Sequence, residues 1–235
     1  MSKVYLVGGA CRDKLMGLTP NDLDYVVVGS NRSEMLSKRF LPVGNDFEVF
    51  LHPETKDEYA LARLERNTGN KYTDFDCVYE GVTLEDDLLR RDLTCNSIAQ
   101  DIDTGEYNDP YGGIDDIVNK TLRHTSESFR EDPVRILRLA RFYARFGSEW
   151  TIAPETKSLC DEMYASGMLY GLTPERVFLE MNKALQTRTP SLFFKFLFKY
   201  DIFPEITAMW GCPQKVEHHP EIEYAASELY INKDL

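Results

Sequence analysis

Short apolar runs separated by polar residues and glycine make up much of the first half of the chain. Four of these runs predict strands: 4–7, 23–28, 48–51 and 58–62. A helix is predicted over 11–16, another from Thr83, where an oxygen cap precedes three acidic residues, and a hairpin over 97–102 and 106–108. The polar, glycine-bearing stretch 68–76 predicts a mobile loop. This half therefore has the pattern of a mixed α/β domain.

From about Asp115 onward the pattern predicts helices only. Proline occupies a first helical position four times, at Pro133, Pro154, Pro174 and Pro190. Apolar residues at helical spacing predict an amphipathic helix against a core, with Val177, Phe178, Met181, Ala184 and Leu185 on its buried side. The predicted fold class is α+β: an α/β head joined to an all-α second half, with a boundary near residues 112–120.

Composition narrows the class of protein. The 235 residues are 43 % hydrophobic and 28 % charged, which is typical of a folded globular protein. No apolar run approaches the roughly 20 residues of a membrane span. A net charge of −12 argues against non-specific coating of nucleic acid, although it leaves room for a local basic groove. Five cysteines without a C-x-x-C pair suit the reducing cytoplasm.

Two carboxylates stand at the entrance of an apolar strand. Asp22 and Asp24 alternate along the chain, and alternate residues of a strand lie about 7 Å apart on one face. Such a pair can hold hard cations such as Mg²⁺ and leave coordination positions for phosphate. A polar turn that enters a strand is the structural alternative.

A glycine turn lies between the first strand and the first helix. Gly8 and Gly9 let a phosphate approach the backbone closely, and Arg12 adds a fork-shaped donor. The alternative is an ordinary strand-to-helix turn, because the pattern is neither G-x-G-x-x-G nor a P-loop. The combination of this turn with the paired aspartates that follow it is much rarer than either feature alone.

Arginines recur in two further segments. Arg90 and Arg91 could meet a triphosphate while Asp92 holds one of them; a salt-bridge cluster with residues 85–87 is the alternative. Farther on, four arginines fall within an arc of about 120° on one predicted helix: Arg135, Arg138, Arg141 and Arg145. Arginine favours planar, bidentate partners such as phosphates and base edges, but acidic neighbours could equally balance this stripe. Asp132 could simply cap the helix.

Four motifs in order along the chain carry a family resemblance: GGACRD with NDLD, LEDDLLRRDLTCNSIA, NDPYGGIDD and EDPVRILRLARF. The runs EYALARLER, YTDF and LTPERV add to them. From Val4 to about Pro220 the sequence resembles the bacterial class II tRNA nucleotidyltransferases (CCA-adding enzymes) and their poly(A) polymerase relatives. The resemblance implies a polymerase-beta-like nucleotidyltransferase head (residues 1–116), a helical neck (117–150) and a helical body (151–235).

The resemblance also implies a two-metal site in the head. Asp22 and Asp24 would be the catalytic, Mg²⁺-binding carboxylates, and Glu58 is our candidate for the third carboxylate that is usual in this fold. Phosphate would be bound by Gly8, Gly9, Arg12 and Arg91. The loop over 68–76 would reposition when specificity passes from C to A.

In the neck, the resemblance implies a template made of protein. The E-D-x-x-R motif corresponds to Glu131, Asp132 and Arg135, of which Asp132 and Arg135 would hydrogen-bond the Watson–Crick edge of the incoming CTP or ATP. Arg138 and Arg141 would reach its phosphates. The implied partner is the 3′ end of tRNA, to which the protein would add C, C and A.

Several alternatives share these motifs. Enzymes that add only A or only CC, and poly(A) polymerases, have the same head. An inactive tRNA- or nucleotide-binding module is an alternative of another class, and the intact Asp22 and Asp24 argue against it. Longer relatives continue into a C-terminal HD phosphohydrolase domain. Because no histidine follows His219, we expect no metal-dependent phosphatase within these 235 residues.

Overall fold

The computed structural model describes residues 2–43, 47–67 and 75–199. The chain forms two compact units, of which the first holds residues up to 119 together with 124–131. The second unit holds residues 120–123 and the chain from 132 onward. The first continuous stretch thus ends at Asn119, and the division of the second unit into neck and body stays a prediction.

Strands of the first unit form a central sheet and a separate ribbon. Within the described residues they are β1 (Lys3–Val7), β2 (Asp24–Val28), β3 (Leu41–Val43), β4 (Val49–Leu51), β5 (Glu58–Leu61), β6 (Leu64–Asn67), β7 (Phe75–Val78), β8 (Ala99–Asp101) and β9 (Tyr107–Asn108). The sheet has the order β3-β4-β5-β2-β1-β8-β9, and its β2–β5 pair is parallel. Strands β6 and β7 pair antiparallel apart from it. The four predicted strands and the predicted hairpin are confirmed.

Strand β2 is buried on both faces, which explains its valine-rich run. Val26 packs into one apolar cluster with Val7, while the next residue, Val27, packs into another with Phe50 and Met35. Successive side chains of a strand point to opposite faces, so a strand between two cores needs apolar residues at every position. This central strand is therefore a rigid support for the residue that opens it, Asp24.

The helices of the first unit alternate with its strands along the chain. They are α1 (Gly9–Leu15), α2 (Arg32–Ser37), α3 (Leu84–Leu89) and α4 (Gly113–Val118). The predicted start at Thr83 is confirmed: its hydroxyl accepts the N–H of Asp86, whose carboxylate accepts the N–H of Thr83 in return. The predicted loop over 68–76 ends earlier than expected because Phe75 and Asp76 belong to β7; residues 68–74 lie outside the described residues.

The second unit is helical. Its described helices are α5 (Val134–Phe146), α6 (Pro154–Ala165), α7 (Pro174–Leu185) and α8 (Pro190–Lys199), so three of the four prolines open a helix as predicted. Helix α5 packs against α7 and α8, and its residues Ile136, Leu137, Leu139 and Ala140 are buried. Among the described residues, no helix combines the length and the apolar character needed to cross a bilayer.

Two predictions about this half need correction. Two short strands, β10 (Thr121–Leu122) and β11 (Thr151–Ile152), pair in parallel within a region that we expected to contain helices only. In α7, Phe178 is exposed although the spacing placed it on the buried side. Val177 and Ala184 are buried as predicted, Met181 and Leu185 are half-buried, and Glu180 is buried against arginines of α5.

Candidate active site and nucleotide-binding helix

The glycine turn after β1 brings two arginines beside the backbone. Gly8 has a φ of +68°, which L side chains rarely adopt, and a Cβ there would lie 2.9 Å from Nη1 of Arg91. A Cβ on Gly9 would lie 3.4 Å from Nη2 of Arg12. Both glycines therefore let guanidinium groups approach the turn more closely than a larger residue would.

Arg12 supports this turn from within the protein. Its side chain is buried, with 3 % exposed. Its Nε and Nη2 donate to Oδ1 of Asp13, and its Nη1 donates to Oδ1 of Asn96 at 2.5 Å. These bonds tie α1 to the segment after the paired arginines. The structure thus gives Arg12 a supporting place, and its contact with a bound phosphate stays a prediction.

Asp24 and Glu58 stand side by side at the ends of two parallel strands. Asp24 opens β2 and Glu58 opens β5, and the two are register partners. Neighbouring strands lie about 4.8 Å apart and in-register side chains share a face, so both exposed carboxylates project from the same edge of the sheet. Asp24 is also the register partner of Val7, the residue before the glycine turn. Asp22 lies in the bend that precedes β2.

Electrostatics around Asp24 favour a cation. Desolvation raises its pKa above the ordinary value, Asp22 raises it further, and Arg91 opposes both. Asp24 keeps accessible surface, so the desolvation comes from protein on several sides of a group that a ligand can still reach. A divalent cation bound there would stabilise the charged carboxylate, which desolvation disfavours. In the described residues, no three His, Cys, Asp or Glu side chains are already gathered into a cluster; Mg²⁺ commonly takes only one or two carboxylates and completes its shell with water and phosphate.

Arg91 is held beside this edge by Asp87. Its Nη2 donates to Oδ2 of Asp87 at 3.1 Å, while its Nε is buried without a hydrogen-bond partner among the described residues. Asp87 also binds Arg90, so the carboxylate that holds both arginines is Asp87. Asp92, which we expected to hold one of them, accepts from the N–H of Leu93 and the amide of Asn96. The predicted alternative, a salt-bridge cluster, is thus present around Asp87, whereas Asp86 is used in the helix cap.

The start of α5 fixes the carboxylate of Asp132 from two sides. Oδ1 accepts the N–H of Val134 at 3.1 Å, although Pro133, and not Asp132 as the capping interpretation predicted, occupies the N-cap position of α5. Oδ2 accepts from Nη2 of Arg176 on α7 at 2.6 Å. Arg135, half-buried, lies three residues further on, and its N–H donates to the carbonyl of Asp132. Glu131 ends a 3₁₀ turn of the first unit, and its role in a template stays a prediction.

The arginine stripe of α5 finds part of its counter-charge in Glu180. Nε of Arg141 donates to Oε2 of Glu180 at 2.5 Å, and Nη1 of Arg138 lies 3.9 Å from Oε1. Both guanidinium groups also approach the ring of Phe142, that of Arg141 at 4.3 Å. The helix separates its faces largely as predicted: opposite the stripe Tyr143 is half-buried and the other apolar residues are buried, while the arginines are half-buried. Acidic balance and a partly open basic surface therefore coexist on one helix.

Two residues that hold site side chains were not predicted from the sequence, Arg176 and Glu180, whereas Asp87 belonged to the predicted alternative, a salt-bridge cluster. Arg176 and Glu180 are four residues apart on α7, a spacing that places them on one face. Asp87 is four residues before Arg91, which gives the same relationship on α3. Spacing of this kind indicated a helix face in each case, but for Arg176 and Glu180 it did not indicate which partner each would meet.

Two family models match the chain, one mostly over the first unit and one within the second. Over residues 4–123 the chain matches the family described as the poly A polymerase head domain. Over residues 150–209 it matches a probable RNA and SrmB-binding site of polymerase A. It is 54 % identical to the multifunctional CCA protein of Shewanella denitrificans over 227 residues, and 51 % identical to that of Actinobacillus pleuropneumoniae over 235. These alignments cover 94 % and 97 % of this chain but 55 % and 57 % of the relatives, so the chain spans just over half of their length.

Solved structures of CCA-adding enzymes are similar to this chain over nearly its whole length. The Thermotoga maritima CCA-adding enzyme complexed with tRNA_CCA superposes with a TM-score of 0.74 at 29 % identity, covering 99 % of this chain and 53 % of that one. An apo form of a CCA-adding enzyme gives a TM-score of 0.76 at 29 % identity, over 98 % and 55 % of the two chains. The first unit is thus a polymerase-beta-like nucleotidyltransferase head. The chain belongs to the poly(A) polymerase and tRNA nucleotidyltransferase family, as the motifs predicted.

Proposed function

We propose that the protein adds C, C and A to the 3′ end of tRNA without a nucleic-acid template, using CTP and ATP. The observation that carries this proposal is the meeting of three features at one edge of the head: the glycine turn, the carboxylates of Asp24 and Glu58, and the guanidinium of Arg91. The identity of about 50 % with multifunctional CCA proteins supports the choice of CCA addition over poly(A) synthesis.

In the proposed reaction, the 3′-oxygen of tRNA attacks the α-phosphorus of the nucleotide. The new phosphodiester bond forms as the bond to pyrophosphate breaks, and the hydroxyl proton leaves to water. Mg²⁺, bound by Asp22 and Asp24 with Glu58 as a candidate third ligand, would lower the pKa of the hydroxyl and neutralise the leaving pyrophosphate. Arg91 and the Gly8–Gly9 turn, where glycine lets phosphate approach the backbone closely, bind the triphosphate and hold it in line for attack.

In the proposed function, residues at the start of α5 select the base. Asp132 and Arg135 bind the Watson–Crick edge, with Asp132 as acceptor and Arg135 as donor, and Arg138 and Arg141 bind phosphate farther along the helix. Each oxygen of Asp132 already accepts one hydrogen bond, from Val134 or Arg176, and keeps a second lone pair for a base. The fixed carboxylate supports a template whose shape is set before the nucleotide arrives.

Product length tests the proposal. A tRNA that lacks its 3′ CCA is incubated with the protein, Mg²⁺ and CTP alone, ATP alone, or both. We expect growth by two residues with CTP and a stop at three with both nucleotides. A long ladder with ATP alone would show a poly(A) polymerase, and a product that stops after one or two added residues with both nucleotides would show a partial enzyme. Binding of tRNA without extension would show an inactive module.

A further inference from the structure

Asp87 joins two segments of the head although it is wholly buried. Its Oδ1 accepts from Nη2 and Nε of Arg90, at 2.7 and 3.2 Å, and from the backbone N–H of Arg63 at 3.4 Å. Its Oδ2 accepts from Nη2 of Arg91 at 3.1 Å. Arg63 follows β5, the strand that begins with Glu58. One carboxylate therefore links the paired arginines to the chain that leaves the carboxylate-bearing strand.

The charge of Asp87 is retained in this buried place. Desolvation alone would raise its pKa, but Arg91 and Arg90 outweigh that effect and hold the pKa below the ordinary value. A buried carboxylate is stable only when its partners remain with it, so the two guanidinium groups are fixed as firmly as the carboxylate itself.

The two arginines are not equivalent. Arg90 brings two nitrogens to Oδ1 of Asp87, whereas Arg91 brings only Nη2 to Oδ2. Within the part of the chain that the structure describes, the Nε of Arg91 has no hydrogen-bond partner, and its Nη1 lies next to Gly8, 2.9 Å from the position a Cβ would take. Arg91 is thus the arginine with donor capacity left at the glycine turn, and Arg90 serves to complete the buried pair.

We infer that Asp87 is a positioning residue for nucleotide binding: it sets the guanidinium of Arg91 against the glycine turn, where the triphosphate binds. The inference rests on the proposed function of the head. Asp87 acts through Arg91 on phosphate and not on the base, so its effect is the same for CTP and ATP. A residue that only stabilised the fold would reduce the active fraction, and hence kcat, without changing KM.

The test is the variant Asp87→Asn, which keeps the shape of the side chain and removes its charge. Binding of inorganic tripolyphosphate with Mg²⁺ is measured by calorimetry on the full chain, and KM is measured for CTP and for ATP with tRNA. We expect tripolyphosphate binding to weaken and both KM values to rise by about tenfold, as for the loss of one charge-assisted hydrogen bond. Asp115→Asn, the same change at an exposed carboxylate of α4, should leave both quantities unchanged.

The outcomes separate the inference from the proposed function. Wild-type protein that does not bind tripolyphosphate would overturn the proposed function of the head. Wild-type binding that Asp87→Asn matches, with KM unchanged, would overturn only the role of Asp87. Should Asp87→Asn not fold, Asp87→Glu keeps the charge and moves the carboxylate by one methylene group; the same rise in KM supports the inference, and an unchanged KM overturns it.

Discussion

Arg176 on α7 holds Asp132 at the start of α5, with Nη2 and Oδ2 separated by 2.6 Å. The two residues are 44 positions apart in the sequence, and the bond is partly buried. It fixes the direction of the carboxylate relative to Arg135, which lies three residues further along the chain. The proposed template is therefore supported from a second helix.

Arg135→Ala should blur the choice between C and A more than it weakens nucleotide binding. Loss of one bidentate contact to a base edge costs about 1–3 kcal/mol of discrimination. The measurement is the ratio of kcat/KM for CTP and ATP on tRNA ending before the first C and on tRNA ending in CC. Arg188→Ala, at an arginine whose side chain is 69 % exposed, serves as the control. Ratios equal to those of the wild type would remove Arg135 from base selection.

Glu180→Ala should destabilise the second unit. The substitution removes a buried carboxylate from Arg141, whose side chain is itself only 12 % exposed, and leaves that guanidinium without this partner. Breaking a buried ion pair in this way costs about 3–5 kcal/mol in the free energy of unfolding. Glu175→Ala, at an exposed position of the same helix, should cost less than about 1 kcal/mol. Denaturant unfolding compares the two; equal losses would contradict the importance of the Arg141–Glu180 pair.

Helical and strand periodicity predicted much of this fold but not its buried ion pairs. The valine-rich run of β2 could be predicted because burial on both faces demands apolar residues at every position. The burial of Glu180 could not be predicted, because its partner Arg141 is 39 residues away and a helical pattern treats a glutamate as solvent-facing. The same cause led the pattern to place Phe178 inside. Glu58 was named as a candidate partner of Asp24, but the register that pairs the two residues could not be predicted, because strand order depends on contacts between distant segments.

Gly113→Ala should destabilise the first unit, whereas Gly171→Ala, in the second unit, should leave the stability of the protein unchanged. A Cβ on Gly113 would overlap the backbone carbonyl of Thr94, and backbone cannot move aside cheaply. We expect a loss of about 1–3 kcal/mol, as for other forced overpacking. A Cβ on Gly171 meets nothing within 4 Å. Thermal unfolding of the two variants measures the difference, and a Gly113→Ala protein as stable as wild type would contradict the close approach.

Three cysteines should resist alkylation in the native protein. Burial raises the pKa of Cys11, Cys95 and Cys160 to about 12 each, so their thiols stay protonated at pH 9, where an exposed cysteine is largely thiolate. Because the unfolded chain ionises first, stability should fall as pH rises above about 9. Iodoacetamide labelling followed by peptide mass spectrometry should mark these three residues only in denaturant. Rapid native labelling would contradict their burial.

The proposed reaction depends most on the carboxylate of Asp24 at the start of β2, and the variant Asp24→Asn tests this dependence directly. The measurement is incorporation of CMP into tRNA lacking its 3′ end, at saturating CTP and Mg²⁺, alongside the melting temperature. Asp103→Asn, at an exposed turn of the same unit, is the control. We predict that Asp24→Asn loses incorporation while keeping its melting temperature, because the exposed side chain contributes little to the core. A folded Asp24→Asn protein that adds CMP at the wild-type rate would contradict the account.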